Sequence, residues 1–283
     1  MLQLPEPVVS GFRQFIPLTG QDRRVAMKIY VLTDNHALRN FDAEWGLSFF
    51  IEVGDKKILM DYGNTDLYIK NSKKLGLEIF NADYFVLSHG HWDHGNGLVH
   101  LPKCKLICHP GSFIKRFRGD TYLGLPYTYE EASERFELDM YSEAYEFSKN
   151  IFFMGTIPRD TEFESKGTDQ VLEDGELDLV EDDSGIAIKT EKGLVVISGC
   201  AHAGICNTIE HAKEITGEDN VYAVLGGFHL KGGDELTELT IEYLKKQDIK
   251  FISTSHCTRF PALVQFANAF GSCPFETGQI IEL

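Results

Sequence analysis

Ten residues, Ser88-His89-Gly90-His91-Trp92-Asp93-His94-Gly95-Asn96-Gly97, constrain this chain more than any other part of it. They follow residues 84–87, a short apolar run that reads as a buried strand. Three histidines and an aspartate fall within six positions. Imidazole nitrogen and carboxylate oxygen are donors that suit zinc, iron and manganese. Glycines on both sides permit the tight backbone that brings ring nitrogens together. A chance His-rich turn is the competing reading, and four ligand-type residues in this order disfavour it.

Three more histidines stand just past predicted strands. His202 lies in Gly199-Cys200-Ala201-His202-Ala203-Gly204, His229 in Gly226-Gly227-Phe228-His229-Leu230, and His256 in Ser255-His256-Cys257-Thr258. Together with the first cluster they supply donors for one or two divalent ions, zinc first, with iron or manganese as alternatives. Asp61, at the end of a strand before Tyr62-Gly63, is expected to accept a hydrogen bond from a ligand histidine or to order the histidine loop. A plain turn-forming aspartate is the simpler alternative. Asn35 and Glu44 are weaker candidates for contacts to substrate or to a ligand. Arg159 is a candidate anion binder, although most lone arginines are surface charges. His109 reads as a packed or capping histidine. Six cysteines without a CxxC pair are expected to stay reduced, and Cys200 and Cys257 draw notice because histidines stand beside them.

Strands are expected at residues 25–32, 47–53, 57–60 and 84–87, then a hairpin of 185–189 with 194–198, then 221–225, 251–254 and 279–283. Helices are expected at 66–75, near 129–136, and at 208–215, 235–246 and 260–270. Strand runs followed by alternating strands and helices predict sheets covered by helices. The 283 residues are read as one domain, with residues 1–24 as an N-terminal extension and 111–149 as a candidate lid insertion. The net charge of −16 argues against nucleic acid and anionic membranes as partners and leaves a small molecule. A bound metal can still make the local field positive. The N-terminus has neither a basic start nor an apolar core, and no apolar run spans a bilayer, so a cytoplasmic location is expected. Oligomeric state is left open.

His89-Gly-His91-Trp-Asp93-His94 resembles the HxHxDH signature of the metallo-β-lactamase superfamily, and the element order is compatible over essentially the whole chain. The resemblance implies an α/β fold, a four-layer αββα sandwich with metals at one edge. It implies that His89 and His91 bind a first metal, that Asp93 and His94 bind a second, and that His256 is the last ligand of the second. Hydrolases of the superfamily usually place a histidine ahead of the segment that here reads Gly155-Thr156-Ile157-Pro158-Arg159, as third ligand of the first metal. None stands there, and His202 is expected to take that role. A bridging aspartate usually stands where this chain has Cys200; zinc β-lactamases carry a ligand cysteine at the similar place, so Cys200 is either a ligand or a close neighbour.

Glu44-Trp45-Gly46-Leu47-Ser48, Gly155–Arg159, Ser198–Gly204, Gly226–Leu230 and His256-Cys257-Thr258 together resemble one branch more closely. It is typified by an archaeal dihydropterin ribofuranosylaminobenzene phosphate synthase, which joins a pterin methyl diphosphate to an aryl ribotide with loss of diphosphate. The implied function is metal-dependent hydrolysis or diphosphate-releasing transfer on a small phosphorylated or pterin-like substrate. Asp93 is the candidate general base, and His229 would polarise substrate or accept a proton. Two rivals stand beside it. One is a redox protein similar to flavodiiron oxygen reductases, which carry acidic ligands in the first cluster and a flavin domain for which this chain has no length. The other is a metal-binding sensor without turnover. A nuclease is disfavoured by the acidic balance.

Overall fold

Strands form where β-branched and aromatic residues cluster between turn formers, in a computed structural model that describes residues 27–164 and 167–283. The elements are β1 (Lys28–Thr33), β2 (Ser48–Val53), β3 (Lys56–Met60), α1 (Leu67–Lys74), β4 (Tyr84–Val86), α2 (Trp92–Gly95), β5 (Lys105–Cys108), β6 (Arg116–Arg118) and β7 (Thr121–Tyr122). There follow α3 (Tyr129–Arg135), β8 (Glu137–Met140), β9 (Tyr145–Ser148), β10 (Ile151–Phe153), β11 (Val171–Leu172), β12 (Gly185–Thr190) and β13 (Gly193–Ser198). The last elements are α4 (Ile205–Thr216), β14 (Val221–Gly227), α5 (Glu235–Lys246), β15 (Phe251–Ser255), α6 (Phe260–Phe270) and β16 (Ile280–Glu282). The expected N-terminal extension, and the first two residues of the strand expected at 25–32, lie outside the described residues.

Two sheets carry the fold. One runs β16-β1-β2-β3-β4-β5-β8, the other β15-β14-β13-β12-β10-β9. Their strands are apolar on both faces, as sheets covered on both sides must be. Within each strand, successive residues point to opposite faces. Ile29, Phe49, Ile51, Ile58 and Met60 meet Ile186, Ile188, Val195, Ile197 and Leu225 in a core between the sheets. Phe50, Leu59 and Leu106 face outward onto Tyr68 of α1 and Ala132 of α3. Leu194, Val196 and Val224 face outward onto Ile209 of α4, Ile241 of α5 and Phe266 of α6. The expected αββα sandwich is the observed fold.

Parallel pairing places the chemistry. β3, β4 and β5 run parallel, as do β13, β14 and β15. The loops at their carboxyl ends therefore gather at one edge, where ligands of open parallel sheets bind. Residues 111–149 do not form one lid. β8 pairs with β5 and β9 pairs with β10, so both belong to the main sheets. What projects is the β6–β7 hairpin with β11. Helix α4 starts at Ile205, earlier than its sequence pattern, because the buried Glu164 carboxylate accepts from the amides of Cys206 and Asn207 at 2.9 and 2.8 Å. Among the described residues no helix is long and apolar enough to cross a membrane.

Candidate metal centre

The histidine loop is fixed from below. Asp61, at the tip of β3, is fully buried and held at φ 59°. Its Oδ1 accepts from the Ser88 amide at 2.8 Å, and its Oδ2 accepts from the Ser88 hydroxyl at 2.8 Å and from His94 Nδ1 at 2.7 Å. Asp61 thus accepts from one histidine of the loop and orders the residue before another. Asp182 holds the loop from the other side, its Oδ2 accepting from the Gly90 amide and its Oδ1 from the buried Arg116, each at 2.7 Å. Gly90 and Gly199 are required by contact: an added Cβ would stand 1.9 Å from Ser112 O in the first case and 2.2 Å from Ser88 Oγ in the second.

These hydrogen bonds set the tautomers. The Ser88 hydroxyl donates to Asp61, so it accepts from His89 Nδ1 at 2.9 Å and leaves the lone pair of His89 on Nε2. His91 Nε2 donates to Gln170 Oε1 at 2.8 Å and leaves its lone pair on Nδ1. Those two lone-pair nitrogens face each other at 2.9 Å. His94 donates through Nδ1 to Asp61, and His256 Nδ1 donates to Asn35 Oδ1 at 3.2 Å. Their Nε2 atoms face each other at 3.0 Å, with Cys200 Sγ 3.1 Å from that of His94. Facing lone pairs repel, and a cation between them removes the repulsion. The donor set thus fits a divalent metal ion.

Two groups of donors result. His89, His91 and His202 offer nitrogens that all lie within 4.8 Å of one another; so do the donor atoms of Asp93, His94 and His256. Cys200 sits between them, grouped with His89 and His94 on one side and with His256 and Cys257 on the other. Asp93 Oδ2 accepts from Trp45 Nε1 at 2.8 Å and lies 3.5 Å from His256 Nε2. His229 is one ring further out, 4.5 Å from His202 between centroids, on the wall of a cavity of about 1160 Å³. Ala201, His229 and His256 all adopt left-handed backbone, at φ 52°, 49° and 56°. Non-glycine residues held there carry local strain, which collects at functional sites.

Electrostatics match ligation. Burial, reinforced by neighbouring imidazoles, holds His89, His202 and His256 well below the ordinary histidine range. Burial with the Arg116 charge does the same for His91. All four are therefore neutral and metal-competent at pH 7. His94 differs: burial pulls it down, but Asp61, with Asp93 and Asp183 further off, raises it overall. Burial also raises Asp93, and lifts Asp183 to about 6. Burial, and then the Cys257 thiol, push Cys200 up.

Two expectations, for Arg159 and Glu44, need correction, and a third resolves between its alternatives. Of the two contacts expected of Asn35, to substrate or to a ligand, the structure shows the second: it donates to the His256 carbonyl at 2.8 Å, meets the His256 ring through Oδ1 and does not line the cavity. Arg159 turns its guanidinium to the carbonyls of His202, Leu179 and Val180, which braces the His202 loop in place of binding an anion. Glu44 accepts from the amides of Asn64 and Thr65 and shapes the loop after β3. His109 caps a turn, as expected, accepting from Gly111 N at 3.0 Å. Gln170, Arg116, Asp182 and Ser88 escape sequence reasoning. Only Ser88, next to His89, offers a signal.

Residues 46–105 match the sequence profile of the Metallo-beta-lactamase superfamily. The chain is 36% identical over 272 residues to the 7,8-dihydropterin-6-methyl-4-(beta-D-ribofuranosyl)-aminobenzene-5'-phosphate synthase of Methanocaldococcus jannaschii, covering 86% of this chain and 92% of that one. It is 34% identical over 262 residues to an uncharacterized protein of the same organism, covering 89% and 99%. Among solved structures it is similar to Tm1679, described as a metal-dependent hydrolase of the beta-lactamase superfamily, with 30% identity, a TM-score of 0.81 and coverage of 91% and 99%. Shared sequence over most of the chain and a shared fold lead to one conclusion: the chain belongs to the metallo-beta-lactamase superfamily.

Proposed function

We propose that this protein is a metal-dependent enzyme acting on a small phosphorylated or pterin-like molecule, by hydrolysis or by transfer with release of diphosphate. The observation that carries the reading is the convergence of four imidazole lone pairs whose outer nitrogens are already engaged. His89, His91 and His202 would hold one ion, and Asp93, His94 and His256 a second, with Cys200 beside both. Imidazole, carboxylate and thiol donors together favour zinc over harder ions. A divalent ion held there supplies Lewis-acid polarisation of a carbonyl or phosphoryl oxygen.

The residues do the rest. Trp45 holds one oxygen of Asp93 and turns the carboxylate toward the cluster. His229 lies on the cavity wall with its ring open to a bound molecule, so it is assigned to proton transfer with substrate, Asp93 being the alternative base. The cavity exceeds the roughly 300–1,000 Å³ of common small-molecule sites, which suits a substrate of two parts or a pair of substrates. The named synthase, at 36% identity, supports the phosphorylated or pterin-like class.

The test is metal analysis with turnover. Wild-type protein should contain one or two zinc equivalents and turn over at least one substrate from a panel of phosphodiesters, aryl phosphates, diphosphates, thioesters and lactones. His89→Ala and His94→Ala should lose both metal and turnover. Full metal content in both variants would contradict the assignment. Full occupancy with no turnover across the panel would favour the reading as a metal-binding sensor.

A further inference from the structure

One side chain that braces the metal centre is itself largely exposed. Trp45 lines the cavity and is 44% exposed, leaving a large amphipathic ring open to a bound molecule. Its orientation is set by the bond to Asp93 and by contact with His256, ring centroids 6.0 Å apart. The Arg259 guanidinium lies 5.9 Å from the indole centroid, and Lys231 lines the same cavity. In a chain of net charge −16, neither cation has an ion-pair partner among the described residues. The acids nearby are engaged elsewhere. Asp169 pairs with Arg118 at 2.9 Å, Asp234 caps α5 by accepting from Thr237 N at 3.0 Å, and Glu164 caps α4.

We propose that Trp45, Arg259 and Lys231 form a substrate subsite for a planar aromatic or heterocyclic group that carries an anion. The ring packs against the exposed part of the indole, and the anion meets the two cations. Because Trp45 also touches Asp93 and His256, a ligand seated there lies beside the donor cluster. The subsite deepens the reading of that cluster as an active centre and rests on it for its purpose, whereas its binding is measurable apart from turnover.

The experiment is calorimetric titration of the full chain, metal-loaded and after chelation, with 1-naphthylphosphonate, 1-naphthol and inorganic phosphate. The chain has two tryptophans, so Trp92→Phe leaves Trp45 as a fluorescent reporter. The naphthylphosphonate should bind at least about tenfold more tightly than either fragment and should quench Trp45. Trp45→Leu, Arg259→Gln and Lys231→Gln should each weaken it by about tenfold, with 1-naphthol indifferent to the two charge changes. Trp45→Phe, which keeps a ring and loses the bond to Asp93, should weaken it less than Trp45→Leu. Affinity equal to that of phosphate, or unaffected by Trp45→Leu, overturns the subsite. If the protein takes up no metal yet still binds the naphthylphosphonate through Trp45, the subsite stands and the metal centre falls. If it takes up metal and shows no preference for the ring, the metal centre stands and the subsite falls.

Discussion

The two halves of the centre are built by different means. On the first sheet, donors close in sequence are locked by buried hydrogen bonds: Asp61 accepts three, and Asp182 holds the Gly90 amide. On the second sheet, donors far apart in sequence hang on separate strand tips, and Ala201, His229 and His256 turn through left-handed backbone to reach the cluster. The first side has one left-handed turn, at Asp61, within a dense buried network; the second has three, with Asn35 and Arg159 bracing His256 and the His202 loop. A multi-strand site of this kind needs a fixed half against which the distant half is assembled.

Removing the anchor from each half should have unequal effects. Asp61→Ala leaves three donors unsatisfied in a fully buried place and should lower stability by about 3–5 kcal/mol. Asn35→Ala removes the matching partner of His256 from a partly exposed place and should lower it by only about 1 kcal/mol. Denaturant unfolding of the two variants measures the difference, and equal losses would erase the distinction. Metal affinity should fall roughly 10–100-fold in both, because each fixes a ligand tautomer.

Acid release of metal sharpens the contrast. Burial keeps His89, His91 and His202 neutral well below the ordinary histidine pKa, so protons do not compete for their ion as pH falls through that value. His94 is raised overall, so the Asp93, His94 and His256 group meets proton competition at higher pH. Two-step release is expected on equilibrium dialysis, with the His94 group emptied first. A single step at or above the ordinary histidine value would contradict it.

The smallest effect tests strain. Ala201→Gly places the residue suited to φ 52° at a left-handed position. Relief of strain should offset the entropy that glycine adds to the unfolded chain, for a net change within about 1 kcal/mol by thermal unfolding. A loss well beyond that would show that Ala201 is not strained.

The same contrast explains what is legible in the sequence. His89, His91, Asp93 and His94 stand out because their spacing is local and dense. His202 and His256 are legible only as histidines past strands, and their convergence depends on parallel pairing that no local pattern encodes. Gln170 is invisible: it is a lone polar residue in irregular chain, 79 positions from the ring it orients. Arg159 misleads because charge suggests an anion, while its surroundings offer loop carbonyls instead. The apolar strands between turn formers can be read from composition, whereas β8 and β9 look like part of a lid because short, partly polar strands resemble a surface insertion.

Anomalous X-ray diffraction at the zinc edge, on crystals grown with zinc, tests the centre most directly. The expected result is a peak about 2.0–2.1 Å from His89 Nε2 and His91 Nδ1, with His202 completing that group. No peak between these atoms, or a peak coordinated elsewhere on the molecule, would contradict it.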